Sequence, residues 1–148
     1  DIAKGIRAGN IQAAKKAFEK MGEALGDAIA NVLTVTDSLV VLGGGLSNAY
    51  ELFAPAMLEQ LNSSYMKLSG ETMHRMEIKV YDFESPEGRN EFLDHKPSEI
   101  KIPFSDKTIM YDPVKRTGVG LSALGTSKAV AIGAYAYALQ QIDLNYQG

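Results

Sequence analysis

The sequence predicts an α/β fold, in which helices cover a largely parallel sheet. Apolar residues recur at spacings of three and four from Asn10 to about Leu33, which indicates a helix with one buried face. Leu39–Leu42 is a short apolar run, rich in β-branched residues, that is typical of a buried strand. Three glycines at residues 43–45 lead into a second helical pattern. The predicted order is therefore helix, strand, glycine turn and helix.

The first two helices carry further signals. Gly22 and Gly26 lie four apart inside the first helix, and each costs up to about 1 kcal/mol relative to alanine. Their presence predicts close approach of a neighbouring element. The strand at Leu39–Leu42 is expected to run parallel to its neighbours. Ser47 is the candidate N-cap of the second helix, whose apolar positions are Leu52, Phe53, Met57, Leu58 and Leu61.

The middle of the chain predicts a strand, a helix and a hairpin. Apolar and polar residues alternate over residues 76–83, which indicates a strand with one buried face. Ser85 followed by Pro86 predicts a helix that ends near Leu93. A hairpin is then expected across a turn at Ser105 and Asp106. Its strands would contain Ile100, Ile102 and Phe104 on one side and Thr108–Tyr111 on the other, with Pro103 confining the first strand to an edge.

The last element is predicted to be a narrow helix. Ser122 is its candidate N-cap, and the helical pattern continues to about Ile142. Small residues allow such a helix to press its backbone against a neighbour. They are Ala129, Ala131, Gly133, Ala134, Ala136 and Ala138.

Composition limits the class of protein. The chain has 148 residues, of which 45% are hydrophobic and 22% charged, which indicates a single globular domain. Its formal net charge of −3 gives no electrostatic reason to expect direct nucleic-acid binding. The absence of cysteine excludes disulfides and fits a reducing cytoplasm. The longest apolar run, residues 129–139, is too short to span a bilayer, so we expect a cytoplasmic protein without a membrane partner.

The glycine run is the strongest candidate for ligand binding. Glycine permits positive φ and lacks the Cβ that would keep a planar base or a phosphate away from the backbone. The cofactor-binding candidates are therefore Gly43, Gly44, Gly45, Leu46 and Ser47. A tight turn between strand and helix would need the same glycines, so both interpretations stay open. A Walker A run is absent, because no lysine followed by serine or threonine ends the glycine run. The dinucleotide fingerprint is also absent, because Asn48 stands where it requires its last glycine.

Other polar features are weaker candidates. Thr117–Gly120 could cradle phosphate, although a turn into the last helix explains it more simply. His74 and His95 have no second histidine at ligand spacing, so we predict no metal site. The carboxylates of Asp82, Glu84 and Glu87 are expected to be solvated, and no residue is assigned a catalytic role.

Four segments together resemble the C-terminal part of the ROK family, which contains glucokinase-like bacterial sugar kinases and sugar-responsive transcriptional repressors. They are AKGIRAGN at residues 3–10, LGDAIANV at 25–32, LVVLGGGLS at 39–47 and LGTSKAVAIGAY at 124–135. The resemblance implies the C-terminal lobe of the actin-like, hexokinase-like (ribonuclease H-like) ATPase fold. It also implies that Gly43, Gly44 and Gly45 lie against the adenine and ribose of ATP, with Mg²⁺ bound in the complete protein. A homodimer is one assembly that the resemblance suggests.

Several motifs of that family would lie upstream of residue 1. They are the phosphate loop, the catalytic aspartate, the sugar-binding glutamate and histidine, and the cysteine-rich zinc motif. We therefore expect residues 1–148 to form one domain, the C-terminal lobe of a longer two-lobe sugar kinase that binds nucleotide and is inactive alone. The segment from about residue 64 to 115 is expected to be an elaboration. The alternatives are a sugar-sensing domain of a ROK-type repressor and a structural domain that binds no nucleotide.

Overall fold

The computed structural model describes residues 1–146 as four α-helices and seven strands. The helices are α1 (Ile11–Thr36), α2 (Tyr50–Leu61), α3 (Pro86–Leu93) and α4 (Thr126–Tyr146). The strands are β1 (Val40–Leu42), β2 (Ser64–Met66), β3 (Thr72–His74), β4 (Lys79–Asp82), β5 (Ser98–Lys101), β6 (Thr108–Tyr111) and β7 (Arg116–Leu121). A short 3-10 helix, Gly45–Ala49, connects β1 to α2. The predicted α/β class is confirmed.

The ends of α1 follow from local capping. Asn10 accepts a hydrogen bond from the Ala13 amide through its side chain (3.0 Å), which satisfies one free donor of the first turn. The helix ends at Asp37, which has a left-handed backbone with φ of 43° and donates its amide to the Leu33 carbonyl. The helix predicted from Asn10 to Leu33 is confirmed and is about one turn longer.

A parallel sheet of three strands, in the order β1-β7-β4, forms the centre of the domain. The register places Leu42 beside Leu121 and Asp82 beside Val119. The expected parallel direction of the first strand is confirmed. Its expected burial is wrong, because β1 lies at the sheet edge and its Val41 side chain is 68% exposed. Only the Val40 and Leu42 side chains pack against the core.

α1 and α2 pack against each other through two glycines. A Cβ atom on Gly22 would lie 2.3 Å from the Phe53 carbonyl oxygen, and one on Gly26 would lie 2.6 Å from the Met57 carbonyl oxygen. The two helix backbones are therefore in direct contact, as the glycines predicted. Leu33, Met57, Leu61 and Val119 are fully buried in the core that these helices form with the sheet. Burial of each such side chain stabilises the fold by about 1.5–3 kcal/mol.

α3 packs on the opposite face of the sheet from α1 and α2. Val80 and Val119 belong to the core below α2, whereas Tyr81 and Phe83 contact Phe92 of α3 with ring centroids 5.9 and 4.9 Å apart. The predicted N-cap is confirmed, since the Ser85 side chain accepts a hydrogen bond from the Gly88 amide (2.9 Å). The strand predicted over residues 76–83 is shorter, at Lys79–Asp82.

The segment from residue 64 to 115 has two structural roles. It contributes β4 to the central sheet and α3 to one face of that sheet. It also forms two antiparallel hairpins, β2–β3 and β5–β6. The hairpin predicted at residues 100–111 is confirmed, but its first strand ends at Lys101. Phe104 is not in the strand: it lies in the turn with φ of 61° and a fully exposed side chain.

A charge cluster joins the base of the β5–β6 hairpin to β7. Asp112 accepts a hydrogen bond from the Arg116 guanidinium and another from the Val114 amide (3.0 Å), and His95 Nδ1 lies 3.3 Å from Asp112 Oδ2. The Arg116 contact and, after it, the Val114 amide lower the pKa of Asp112 to about 2. The carboxylate is therefore ionised over the whole neutral and mildly acidic range.

The last helix begins later than predicted and is open to solvent. Ser122 is not its N-cap, because the Ser122 amide donates to the Leu42 carbonyl (2.8 Å) and so extends the sheet beyond β7. α4 begins at Thr126, and residues 127–144 are all exposed. None of the helices within residues 1–146 combines the length and the hydropathy that a membrane span requires.

Replacing Gly22 with alanine is expected to destabilise the domain. Overpacking of this kind costs about 1–3 kcal/mol, which exceeds the gain in helix propensity of up to about 1 kcal/mol. Gly133→Ala is the matched control, since a Cβ there meets no atom within 4 Å. It should raise stability slightly. Urea denaturation of both variants measures the difference, and equal effects at the two positions would contradict the close contact.

Asp112→Asn should reduce stability in a pH-dependent way. Because the pKa of Asp112 is lower in the folded chain than in the unfolded chain, its contribution is present above about pH 4 and lost as the pH falls towards 2. The Tm difference between wild type and variant should therefore be largest near neutral pH and shrink below pH ~4. Thermal denaturation from pH ~7 to ~2 tests this, with Glu59→Gln on the exposed side of α2 as control.

Candidate functional site

The carboxyl ends of β1, β7 and β4 meet at one edge of the sheet because the three strands are parallel. Ligands of open α/β sheets bind in the space outside this edge. Three connections border it here: the glycine turn after β1, residues 122–125 after β7, and residues 83–85 after β4. We refer to this region as the carboxyl edge.

The three glycines of the turn have different surroundings. Gly44 has φ of 99° and ψ of 179°, a conformation that is essentially restricted to glycine. A Cβ on Gly43 would make ordinary contact with the Ser122 Cβ at 3.7 Å, whereas a Cβ on Gly45 would meet no atom within 4 Å. The backbone conformation of the turn therefore explains why residue 44 is glycine. Open space beside the backbone at Gly45 is what a planar ligand would need.

Leu46 and Ser47 complete the turn. The Leu46 side chain is 60% exposed, so an apolar surface lies beside the open space at Gly45. The Ser47 hydroxyl donates a hydrogen bond to the Gly44 carbonyl (2.6 Å), which closes the turn. Ser47 is not the N-cap of α2: that helix begins three residues later, after Ala49, and has no side-chain cap. The 3-10 helix takes up the intervening residues.

Residues 122–125 form a second wall of the site, which the sequence did not predict. Gly125 has φ of 68°, and a Cβ at this position would meet no atom within 4 Å. This residue precedes α4, so the free amides of that helix's first turn begin at the same edge. A glycine directly before a helical pattern was the available signal, but spacing alone could not place it next to the glycine turn.

Thr117–Gly120 is neither a turn nor a phosphate cradle. These residues lie in β7, the middle strand of the sheet. A Cβ on Gly118 would lie 2.1 Å from Phe83 Cζ, and one on Gly120 would lie 3.4 Å from Phe83 Cβ. The two glycines therefore make room for the Phe83 ring. The Thr117 hydroxyl donates to the Ser38 carbonyl (2.7 Å), which is also a structural contact.

Of the three carboxylates near β4, Glu84 and Glu87 are exposed, as predicted, whereas Asp82 is half-buried. Asp82 accepts hydrogen bonds from the Tyr50 hydroxyl (2.8 Å) and the Glu84 amide (2.9 Å), and Glu84 accepts one from the Leu121 amide (2.8 Å). Glu87 is exposed in the first turn of α3. Two of the three carboxylates therefore connect elements at the carboxyl edge.

The two histidines lie away from the carboxyl edge, and each has a polar side chain as its partner. His74 Nδ1 is 3.1 Å from the Ser64 hydroxyl on the β2–β3 hairpin, and His95 belongs to the Asp112 cluster. Within residues 1–146, no group of three or more histidine, aspartate or glutamate side chains could hold a metal ion. A cavity of about 250 Å³ lies near His74 at the start of β4, so it is separated from the carboxyl edge by the length of that strand.

A solved structure provides the comparison with known proteins. The chain is similar to the crystal structure of glucokinase from Parabacteroides distasonis ATCC 8503, with 39% sequence identity and a TM-score of 0.75. The alignment covers 94% of this chain and 37% of the glucokinase chain, so this chain spans little more than a third of that protein's length. No protein-family model and no curated protein sequence matches the chain. The mixed α/β architecture is therefore one that a glucokinase shares.

Replacing Gly44 with alanine should destabilise the chain far more than replacing Gly45 with alanine. Gly44→Ala forces a side chain into a glycine-only conformation, which is expected to cost about 1–3 kcal/mol of stability. Gly45→Ala places its methyl group in open space and should change stability by less than about 0.5 kcal/mol. Urea denaturation of the two variants measures this contrast. A larger loss for Gly45→Ala than for Gly44→Ala would overturn the assignment of the turn to Gly44.

Proposed function

We propose that the chain is the C-terminal, nucleotide-binding lobe of an ATP-dependent hexose kinase of the ROK family, and that it is inactive alone. The observation that carries the proposal is the open backbone at Gly45 on the carboxyl edge. The 39% identity to a glucokinase supports the choice of reaction. The ROK assignment rests on the four segments that resemble the family.

The residues of the glycine turn fit an adenosine group. Gly45 would let the base and ribose lie against the backbone, and the exposed Leu46 side chain would provide an apolar surface for the base. Ser47 would keep the turn closed through its hydrogen bond to the Gly44 carbonyl. Gly125 would leave the opposite wall open towards the first turn of α4, where free amides favour a negatively charged group.

In such a kinase ATP would supply the phosphoryl group, and Mg²⁺ would stabilise its charge during transfer to a sugar hydroxyl. We assign the metal ligands, the general base and the sugar-binding residues to other parts of the complete protein. This chain's residues would hold and orient the nucleotide and exclude water from one side of it. That division is why the chain is proposed to be inactive alone.

The surface of α4 supports the assignment to a longer protein. Its exposed apolar side chains lie on two opposite sides of the helix, and a helix that is apolar on more than one side is normally buried. They are Val130, Ile132, Tyr135, Tyr137, Leu139, Ile142 and Leu144. We propose that the other lobe of the kinase covers them, because the glucokinase that shares this fold has nearly two thirds of its chain outside the aligned region.

Gly45→Val should weaken ATP binding without unfolding the chain. The valine side chain would fill the space assigned to adenosine, so we expect the Kd for ATP·Mg²⁺ to rise at least about tenfold, equivalent to about 1.4 kcal/mol. Isothermal titration of the 148-residue chain measures the affinity, and thermal denaturation verifies folding. Gly133→Val is the matched control at another open glycine and should leave the Kd unchanged.

Two results would contradict the nucleotide assignment. One is a wild-type chain that binds no ATP, and the other is a folded Gly45→Val variant with unchanged affinity. A coupled assay for ADP release on the protein encoded by the complete reading frame then tests the kinase assignment. Hexose-dependent ADP release would support it. Hexose binding without turnover would favour the sugar-sensing domain of a repressor instead.

A further inference from the structure

The end of β4 and the loop that follows it carry two carboxylates that reach different parts of the carboxyl edge. Asp82 is the last residue of β4, and Glu84 follows it by two positions. Asp82 Oδ1 accepts the hydrogen bond from the Tyr50 hydroxyl on α2 (2.8 Å). Glu84 Oε1 accepts the hydrogen bond from the Leu121 amide at the end of β7 (2.8 Å). The end of β4 and its loop therefore contact both neighbouring walls.

Each contact falls next to a segment of the proposed nucleotide site. Tyr50 is the first residue of α2 and directly follows the 3-10 helix Gly45–Ala49, so the Asp82 contact fixes the end of the glycine turn. Leu121 directly precedes Ser122, whose Cβ lies 3.7 Å from the position of a Cβ on Gly43. The Glu84 contact therefore fixes the start of the β7–α4 connection.

The Tyr50 contact is well suited to positioning. The side chain is 8% exposed, and its ring makes an edge-to-face contact with Phe53 at 5.6 Å between centroids. Burial and, after it, the hydrogen bond to Asp82 raise the pKa of Tyr50 above its ordinary value, so the phenol keeps its proton. Because this neutral hydroxyl donates to a carboxylate, the hydrogen bond is charge-assisted.

We infer that Asp82 and Glu84 are positioning residues of this site, which set the separation between the glycine turn and the β7–α4 connection without touching the nucleotide. The inference rests on the proposed function for its ligand, and on the three hydrogen bonds for its geometry. The backbone amide of Glu84 also donates to Asp82 Oδ1 (2.9 Å), so Asp82 holds the backbone from which the Glu84 side chain extends. Loss of either contact should loosen one wall and leave the other in place.

Hydrogen exchange of the ligand-free chain tests the geometry separately from ligand binding. Glu84→Ala should speed amide exchange at residues 121–125, and Tyr50→Phe should speed it at residues 44–50. Phenylalanine keeps the ring that packs against Phe53 and removes only the hydroxyl. Glu87→Ala is the matched control, since Glu87 lies in the first turn of α3, the helix that follows this loop. It should change amide exchange in neither segment. Unchanged exchange in Glu84→Ala and Tyr50→Phe would overturn the inference.

ATP titration of the same variants tests the consequence for the site. Glu84→Ala and Tyr50→Phe should each raise the Kd for ATP·Mg²⁺ about threefold to tenfold, which is the range expected for loss of one hydrogen bond. Glu84→Gln retains an acceptor oxygen and should restore most of the affinity, whereas Glu87→Ala should equal wild type. Loosened walls with unchanged ATP affinity would also overturn the inference. Loosened walls in a chain that binds no ATP would contradict the proposed function and leave the geometric role of the two carboxylates supported.

Discussion

The direct contact between the backbones of α1 and α2 is the constraint on which the remaining structure depends. Gly22 and Gly26 allow α2 to lie so close to α1 that a single methyl group at either position would overlap a carbonyl oxygen. α2 buries its Met57 side chain completely in the core from this position. The same helix begins with Tyr50, whose hydroxyl donates to Asp82. The contact between the two helices therefore holds in place the element that follows the glycine turn.

The sequence predicted best those features that depend on neighbours in the chain. The period of α1, the Ser85 cap and the parallel direction of β1 all follow from short patterns, and the structure contains each of them. Hydrogen bonds between distant segments caused the errors. Ser122 resembles an N-cap until its amide is seen to pair with the Leu42 carbonyl, eighty positions earlier in the chain.

The candidate site shows the same division. Gly43–Ser47 could be identified from sequence, because glycines after a strand are a local signal. The different roles of Gly44 and Gly45 could not be identified from sequence. The role of Gly44 depends on its backbone angle, and the role of Gly45 depends on the empty space around it. The glycines of β7 were misassigned for a related reason. Their partner, the Phe83 ring, lies directly after another strand, far from them in the chain, so composition alone made a central strand look like a turn.

The side chain of Asn62 makes the two outer strands of the central sheet unequal. Its amide group donates to the Val80 carbonyl (2.9 Å) and accepts from the Val80 amide (3.0 Å), in the way that a neighbouring strand would. The outer edge of β4 is therefore blocked at Val80 by a residue of the same chain. β1, at the other end of the strand order, has no strand on its outer side among residues 1–146. Any enlargement of this sheet, by another part of the protein or by a second molecule, therefore has a favoured side, because pairing along β4 would first have to displace the Asn62 side chain.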